Sequence, residues 1–285
     1  MSVTGVAPLR LRPLEIGDLL DETFRMYRRH FVLFAGISVV LSIPSAALSG
    51  LAFGLLGSLV QVGGTGAQPD FSALGLMLPV LALASLLGIA LVPFSYGAVM
   101  YAACESAMGR PVSAGGIVRG VGRRYFALLG YWLLFFVSLF VSLLLCVLPV
   151  ALWTWLFVMW IVATPAMFVE NISLGAATGR SRMLVQGRWW RTFLVLFLLV
   201  IVFYVVRLAL SAFVEIGQLL LDLVLSPFVA AAIASASAQI IDALVSPMMQ
   251  IALVLVYFDL RVRREALDLF QMAHRLAMPS VETMH

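Results

Sequence analysis

The chain has 285 residues, of which 63% are hydrophobic and only 11% are charged, and its mean hydropathy is +1.08. A soluble domain is about half apolar and about a quarter charged, so this composition excludes an ordinary water-soluble fold. The basic residues number 18, all of them arginine, against 14 acids, and we interpret the net charge of +4 as membrane-topology charge, with lipid phosphates as an alternative partner and no role for nucleic acid.

The first thirty residues form a cytoplasmic N-terminal segment in this interpretation, and they contain no apolar run typical of a removable signal peptide. Residues 14–31 predict an amphipathic helix at 100° per residue. Its apolar face carries Ile16, Leu19, Leu20, Thr23, Phe24, Tyr27 and Phe31, and its charged face carries Glu15, Asp18, Asp21, Glu22, Arg25, Arg28 and Arg29. We expect this helix to lie at the membrane interface, against acyl chains or against the bundle, with a soluble partner helix as the alternative.

Six apolar stretches are then long enough to cross a hydrocarbon core, which takes about 20 helical residues. They run at 31–60, 73–103, 126–147, 149–169, 192–214 and 237–258. Pro149 divides the third from the fourth and predicts a tight hairpin between them. The fold class is therefore an all-α polytopic bundle, with a six-span domain at 31–260 and a cytoplasmic tail at 261–285.

The arginines orient these spans. Seventeen of the 18 lie before the first span (Arg10, Arg12, Arg25, Arg28, Arg29), between the second and third (Arg110, Arg119, Arg123, Arg124), between the fourth and fifth (Arg180, Arg182, Arg188, Arg191) or after the sixth (Arg261, Arg263, Arg264, Arg275). The three alternate connections have none. The positive-inside rule places both termini on the cytoplasmic side of a bacterial plasma membrane.

A short motif recurs ahead of the odd-numbered spans and predicts a threefold internal repeat. Leu14-Glu15-Ile16-Gly17 is similar to Ile172-Ser173-Leu174-Gly175, and Val112-Ser113-Ala114-Gly115 is a looser copy. An aromatic residue, Phe31 or Trp189, opens the next span 14 residues beyond the first or the second of these motifs, respectively. Each unit would be an interfacial helix followed by two spans, with chance similarity between apolar, arginine-flanked segments as the alternative.

Three segments together resemble a bacterial integral membrane family. They are PLEIGDLLDETFRMYRRHF, TPAMFVENISLGAATGRSRMLVQGRWWRTF and VYFDLRVRREALDL, the last with a Tyr-x-Asp-Leu-Arg-x-Arg-x-Glu pattern at Tyr257, Asp259, Leu260, Arg261, Arg263 and Glu265. The family is named after the membrane domain of glycerophosphoryl diester phosphodiesterases. The resemblance implies a helical membrane bundle, in many members without an attached catalytic domain. This chain departs from it at Ala266, where the family tends to have glycine.

We expect no enzyme, no cofactor and no metal site. The tail sequence AHRLAMPSVET resembles phosphodiesterase signatures only faintly, because Leu276 replaces a glycine, and we assign no catalytic role to His274. The three histidines are far apart and have no metal-ligand spacing. Cys104 and Cys146 fall at opposite membrane faces, so no disulfide is expected, and Cys104 should react from the cytoplasm.

Charges inside spans are the better candidates for a structural or functional site, because a buried ion needs a partner or water. Arg207 lies 16 residues after Arg191, and Asp242 lies 17 residues before Asp259 on an antiparallel span, so both are about 25 Å from the cytoplasmic end. We predict an Arg207–Asp242 ion pair, with Glu215 as a competing partner. It would clamp the last two spans together, and an outer gate and simple snorkelling are the alternatives.

Two further sets lie at the cytoplasmic end. The span-end acids Glu105, Glu170 and Asp259 are expected to face arginines, with Arg180, Arg182 and Arg261 as their partners. Packing is the default interpretation of these pairs. The alternative is a basic vestibule that binds a lipid headgroup or phosphate, formed by Arg182, Arg188, Arg191, Trp189 and Trp190.

The sequence supports two functional hypotheses. The first is a non-catalytic membrane scaffold or accessory protein, associated with lipids and with a membrane protein partner or a second copy of itself. The second is a carrier or channel for a small solute or lipid. Transport sites gather polar residues at mid-membrane, whereas Ser42, Ser85, Ser138 and Gln250 are small and scattered along the sequence, which favours the scaffold.

Overall fold

The computed structural model describes residues 15–64, 72–144 and 147–265, with side chains at 15–56, 75–144 and 150–265. These residues form ten helices and no strand. The helices are α1 (Ile16–Arg29), α2 (Phe31–Gly64), α3 (Ser72–Ala107), α4 (Ala114–Gly122), α5 (Tyr125–Leu144), α6 (Val147–Trp160), α7 (Ala163–Val169), α8 (Leu174–Val185), α9 (Trp189–Leu221) and α10 (Pro227–Glu265). Six segments are long and apolar enough to cross a membrane, with α6 and α7 forming one of them. The predicted helical membrane bundle is therefore confirmed.

A short helix followed by two spans occurs three times, as α1 to α3, α4 to α7 and α8 to α10. Glu15, Ser113 and Ser173, the second residue of each recurring motif, are the N-caps of α1, α4 and α8. An aromatic residue then begins α2, α5 and α9. The motif therefore marks the start of each short helix, because a capping side chain or an extended backbone ends the preceding segment there.

Prolines shape the fourth span. Pro149 lies in the first turn of α6, where its missing N–H leaves no bond unmade. Trp153 on α6 donates a hydrogen bond from its indole to Ser138 Oγ of α5 at 3.0 Å, as expected of the predicted hairpin. Pro165 lies at the third position of α7, and its ring excludes the helical position of the carbonyl four residues earlier. The span is accordingly interrupted at 161–162.

The longest interface of the bundle lies between α2 and α10. A Cβ added at Gly50 would lie 3.2 Å from the backbone oxygen of Ala232, and one at Gly54 would lie 2.9 Å from that of Phe228. The small-residue run in 230–238 therefore packs against α2 of the same chain. The run belongs to α10, which starts ten residues before the predicted sixth span.

Helix α1 packs against the bundle. Leu19 and Thr23 are fully buried, and the Tyr27 hydroxyl donates a hydrogen bond to the backbone oxygen of Leu244 on α10 at 2.7 Å. Phe24 contacts Phe203 of α9, with ring centroids 6.3 Å apart. The charged face predicted for this helix is the exposed one. The apolar face of α1 was expected to lie against acyl chains or against the bundle, and in the structure it packs against the bundle.

Burial is concentrated toward one end of the bundle. In α3, the side chains of Ala98 to Cys104 are almost all buried, whereas Leu76, Leu78 and Leu86 are more than 60% exposed. In α9, Leu199 is buried and Phe213 is exposed. We call the packed side the arginine-rich end, since it holds the connections from α3 to α5 and from α7 to α9 and the end of α10. The other halves of the spans leave their apolar side chains exposed, as lipid-facing helices do.

Candidate functional site

Within the described residues, one gathering of polar groups is an ion-pair cluster at the arginine-rich end. Glu170, which caps the C-terminus of α7, accepts hydrogen bonds from Arg180 Nε at 2.8 and 3.0 Å and from the Tyr257 hydroxyl at 2.7 Å. Arg180 also pairs with Glu265, which in turn accepts from Arg261 Nε at 2.9 Å. Burial lowers the pKa of Arg180, but its bonds and Coulombic attraction to Glu170 and Glu265 outweigh this and raise it.

Asp259 forms the second half of the cluster. Its side chain is 1% exposed and accepts hydrogen bonds from Arg191 Nη1 at 2.6 Å and from Arg263 Nε at 2.8 Å. Arg191 comes from the start of α9, and Arg263 is one turn further along α10. A buried carboxylate held by two guanidinium groups keeps its charge compensated, so the pair ties α9 to the end of α10.

The Tyr-x-Asp-Leu-Arg-x-Arg-x-Glu pattern at the end of α10 therefore consists of residues with structural contacts. Each of its polar members has a partner in the cluster, and Leu260 is buried beside them. Through these contacts the end of α10 is bonded to α7, α8 and α9. Arg124 adds a further bond, from its Nη1 to the backbone oxygen of Ile172 at 2.7 Å, so α5 is fixed to the same end.

The span-end acids all meet arginines, although not always the predicted ones. Arg180 does answer Glu170, but Asp259 is answered by Arg191 and Arg263. Arg261 pairs with Glu265, and Arg182 is exposed. The remaining acid, Glu105, meets Arg110 at 3.5 Å, with that arginine side chain 62% exposed. Chain order could not reveal these pairings because eleven arginines lie in the connections and helix ends at this end of the bundle.

The predicted headgroup set is split by the fold. Arg191 is engaged by Asp259, and the Trp189 indole donates to the backbone oxygen of Trp155 at 3.2 Å. Trp190 is 72% exposed and Arg182 is exposed too. Arg188 has a buried Nη1 with no hydrogen-bond partner within the described part of the chain. Arg191 is therefore a structural contact, and headgroup binding by this set stays a prediction.

Arg207 and Asp242 form an ion pair between α9 and α10, with Nε of Arg207 bonded to Oδ1 of Asp242. A second bond joins Arg207 Nη2 to Oδ2 at 3.4 Å. The competing partner, Glu215, is not the one that the arginine takes in the described structure. Both paired side chains are about half exposed, at 42% and 52%. Depth matching on antiparallel spans was sufficient to find this contact from sequence.

The second polar site is a cavity of about 340 Å³. It lies midway along α2, α3 and α10, with α5 closing one side. Its polar lining consists of Ser38, Ser42, Ser45, Ser95, Tyr96, Trp132, Gln239, Asp242, Ser246 and Gln250. We call it the polar cavity. A volume of this size lies in the range of about 300–1,000 Å³ typical of small-molecule sites.

Three residues of the polar cavity have buried polar atoms without a hydrogen-bond partner in the described part of the chain: Ser38 Oγ, Trp132 Nε1 and Gln250 Oε1. Ser38 is 3% exposed and Gln250 is 7% exposed. A buried polar atom without a partner costs about 1–3 kcal/mol. These atoms include a donor, an acceptor and a hydroxyl that can act as either.

The polar cavity corrects the impression that mid-span polar residues are scattered. Ser42 and Gln250 face the same space, although they are about 200 positions apart in sequence, and only Ser85 and Ser138 lie elsewhere. A signal was present: Ser38, Ser42 and Ser45 follow helical spacing, as do Gln239, Asp242, Ser246 and Gln250. Each row forms one face of its helix. Sequence alone does not show that the two faces meet.

Cys104 is 1% exposed, so the expectation that it reacts from the cytoplasm is wrong: the packed end of α3 covers it. Cys146, His274 and the tail beyond Glu265 lie outside the described residues. In the described segments, no three metal-ligating side chains of the His, Cys, Asp and Glu types gather. Comparison with protein-family models, curated proteins and solved structures finds no match for this chain.

Proposed function

We propose that this multi-pass membrane protein is a non-catalytic carrier that holds a small polar or amphiphilic molecule in the polar cavity. The observation that supports it is the gathering of ten polar side chains, two of them deeply buried with unpaired atoms, midway along three apolar spans. Polar groups at this depth are costly, and in carriers they mark the substrate site. The sequence-based preference for a scaffold rested on scattered polar residues, and the fold removes that premise.

The surroundings of the polar cavity suit such a role. The site is lined from four helices, and Asp242 connects it to the Arg207 pair on α9. A ligand that draws Asp242 away from Arg207 would loosen α9 from α10. The ion-pair cluster at the arginine-rich end holds the same two helices together independently. Beyond that end, α9 and α10 are joined by the Arg207–Asp242 pair and by the bond from Gln218 Nε2 to the backbone oxygen of Ala230 at 2.8 Å.

The proposal includes the cellular setting. We infer a bacterial plasma membrane with the arginine-rich end in the cytoplasm, on the positive-inside rule. The resemblance to the phosphodiesterase membrane-domain family supports a bundle that works without an attached catalytic domain. Both are inferences from sequence.

A membrane scaffold or accessory subunit is the second candidate. It is supported by the exposed apolar side chains on the outer halves of α5 and α9, such as Phe140, Leu144 and Phe213, each more than 60% exposed. These faces are broad enough to contact a partner helix as well as lipid. A scaffold would copurify with a partner protein in stoichiometric amount, whereas a carrier would copurify with a small molecule.

The test is mild purification followed by mass spectrometry of bound molecules, comparing the wild type with Gln250→Leu. We expect a small molecule to copurify with the wild type and to be lost from the variant. Gln218→Leu is the matched control, because Gln218 also has a buried, unpaired Oε1 but lies in the last turn of α9, away from the polar cavity. Equal retention by all three proteins, or a stoichiometric protein and no small molecule, would refute the carrier.

A further inference from the structure

An apolar groove lies beside the polar cavity. It has a volume of about 450 Å³ and runs between α3 and α5, lined by Ser85, Gly88, Ile89, Val92, Pro93, Leu129, Trp132, Leu133 and Phe136. Ile89 and Leu133 are more than 60% exposed, so the groove opens on the outer face of the bundle. In a membrane that face meets acyl chains. We call it the apolar groove.

The polar cavity and the apolar groove share two lining residues, Val92 and Trp132. Trp132 stacks on Phe136 on the groove side, with ring centroids 5.4 Å apart, and contacts Tyr96 on the cavity side at 5.6 Å. Its indole N–H is buried and has no acceptor among the described residues. An amphipathic side chain therefore stands where a polar space and an apolar one adjoin, as it does at the boundary between a lipid headgroup and its chain.

The lining of the polar cavity also restricts the headgroup. Asp242 is its charged member, and that carboxylate is already paired with Arg207. No arginine lines the cavity in the described part of the chain. A phosphate there would lie near the Asp242 carboxylate and would have no lining cation to compensate its own charge. The lining instead has five serines, two glutamines and a tyrosine. Ser42 and Ser45 donate their hydroxyl protons to backbone oxygens of their own helix, so their oxygens remain as acceptors, which suit hydroxyl donors.

We propose that the occupant is a single membrane lipid with an uncharged, hydroxyl-rich headgroup, such as a glycosyl diacylglycerol. The headgroup lies in the polar cavity, one acyl chain lies in the apolar groove, and Trp132 lies at the boundary between them. This rests on the proposed function and names the substrate class for the same site.

The probe is a galactosyl diacylglycerol with a photoreactive diazirine in one acyl chain, added to the protein in phosphatidylcholine nanodiscs. We expect the label on peptides of 85–93 and 129–136. Unlabelled galactosyl diacylglycerol should compete better than phosphatidylglycerol of the same chains by about fivefold or more, the effect of roughly one hydrogen bond. Label spread evenly over the apolar helices, or equal competition by phosphatidylglycerol, would overturn the assignment.

Two glycines provide matched variants. A Cβ added at Gly88 or at Gly75 meets nothing within 4 Å, so leucine is tolerated at either position of α3. Only Gly88 lines the apolar groove. We expect Gly88→Leu to lower groove labelling severalfold and Gly75→Leu to leave it unchanged.

The two proposals fail in different ways. If a molecule without an acyl chain copurifies and depends on Gln250, and Gly88→Leu has no effect, the lipid is wrong and the carrier stands. If neither Gln250→Leu nor Gly88→Leu changes any bound molecule, both are wrong.

Discussion

Asp259 illustrates how burial changes the contribution of an ion pair to the stability of the protein. Its carboxylate is 1% exposed and bonded to Arg191 and Arg263, whereas Glu105 meets an arginine that is 62% exposed. Removing one partner of a buried ion pair costs about 3–5 kcal/mol, but an exposed pair contributes about 0–1 kcal/mol. Both acids close a span and precede arginines, so sequence treats them alike. Burial separates them.

We therefore predict that Asp259→Asn lowers the melting temperature in detergent markedly, because two arginines lose their shared counter-charge. Glu105→Gln is the control and should change it by only about 2–4 °C at most, the equivalent of roughly 1 kcal/mol. The measurement is thermal unfolding followed by loss of the monodisperse peak on size exclusion. An Asp259→Asn protein that melts like the wild type would contradict the structural role of the cluster.

At the scale of elements, ion pairs join α9 to α10 at two depths along the bundle. The ion-pair cluster fixes them at the arginine-rich end, and Arg207 and Asp242 join them about 24 Å further along. Between these points α1 covers them, through Phe24 and Tyr27. Both partners of the far pair are about half exposed, and lipid tails cannot solvate an isolated charge as water does. Each partner therefore depends on the other.

We predict that Arg207→Ala and Asp242→Ala each lower the melting temperature, and that the double variant is less destabilised than the sum of the two. The reason is that the second substitution removes the charge left unpaired by the first. The comparison pair is Glu22 and Arg25, a contact of one helical turn with the arginine 72% exposed. Strict additivity at 207 and 242 would show that the pair clamps nothing.

At the scale of the whole molecule, the core lies toward one end of the bundle, and most of the arginines lie at that same end. Packed helices at that end bury the sequence from Ala98 to Cys104 and most of the last part of α10. The polar cavity lies midway along the spans. Beyond it, α2 and α10 approach closely again at Gly50 and Gly54.

We predict that, in right-side-out and inverted vesicles, an impermeant maleimide will label Arg123→Cys and Leu223→Cys from opposite sides. Both positions are exposed, Arg123 in the connection after α4 and Leu223 in the turn after α9. The variants are made in a background without Cys146, and buried Cys104 should stay unlabelled in native protein. Labelling of both positions from one side would contradict the six-span topology.

The hydropathy pattern and the helix-capping residues were sufficient to predict the spanning helices and the starts of the short helices from sequence. Runs of about 20 apolar residues have few alternatives to a spanning helix, because hydrocarbon leaves no other partner for backbone groups. Glu15, Ser113 and Ser173 marked helix starts, and equal depth from the arginine-rich end brought Arg207 to Asp242. These are local or one-dimensional properties of the chain, so sequence carries them.

The tertiary structure decided which faces meet. The choice of Arg191 and Arg263 for Asp259, the burial of Cys104, and the meeting of the Ser42 and Gln250 faces in one cavity all depend on how each helix is rotated about its axis. Rotation is set by side-chain packing between helices distant in sequence, since surrounding lipid is as apolar as the spans and gives little preference of its own. Sequence therefore determined the number of spans and the starts of the short helices, and only packing placed polar groups inside the bundle.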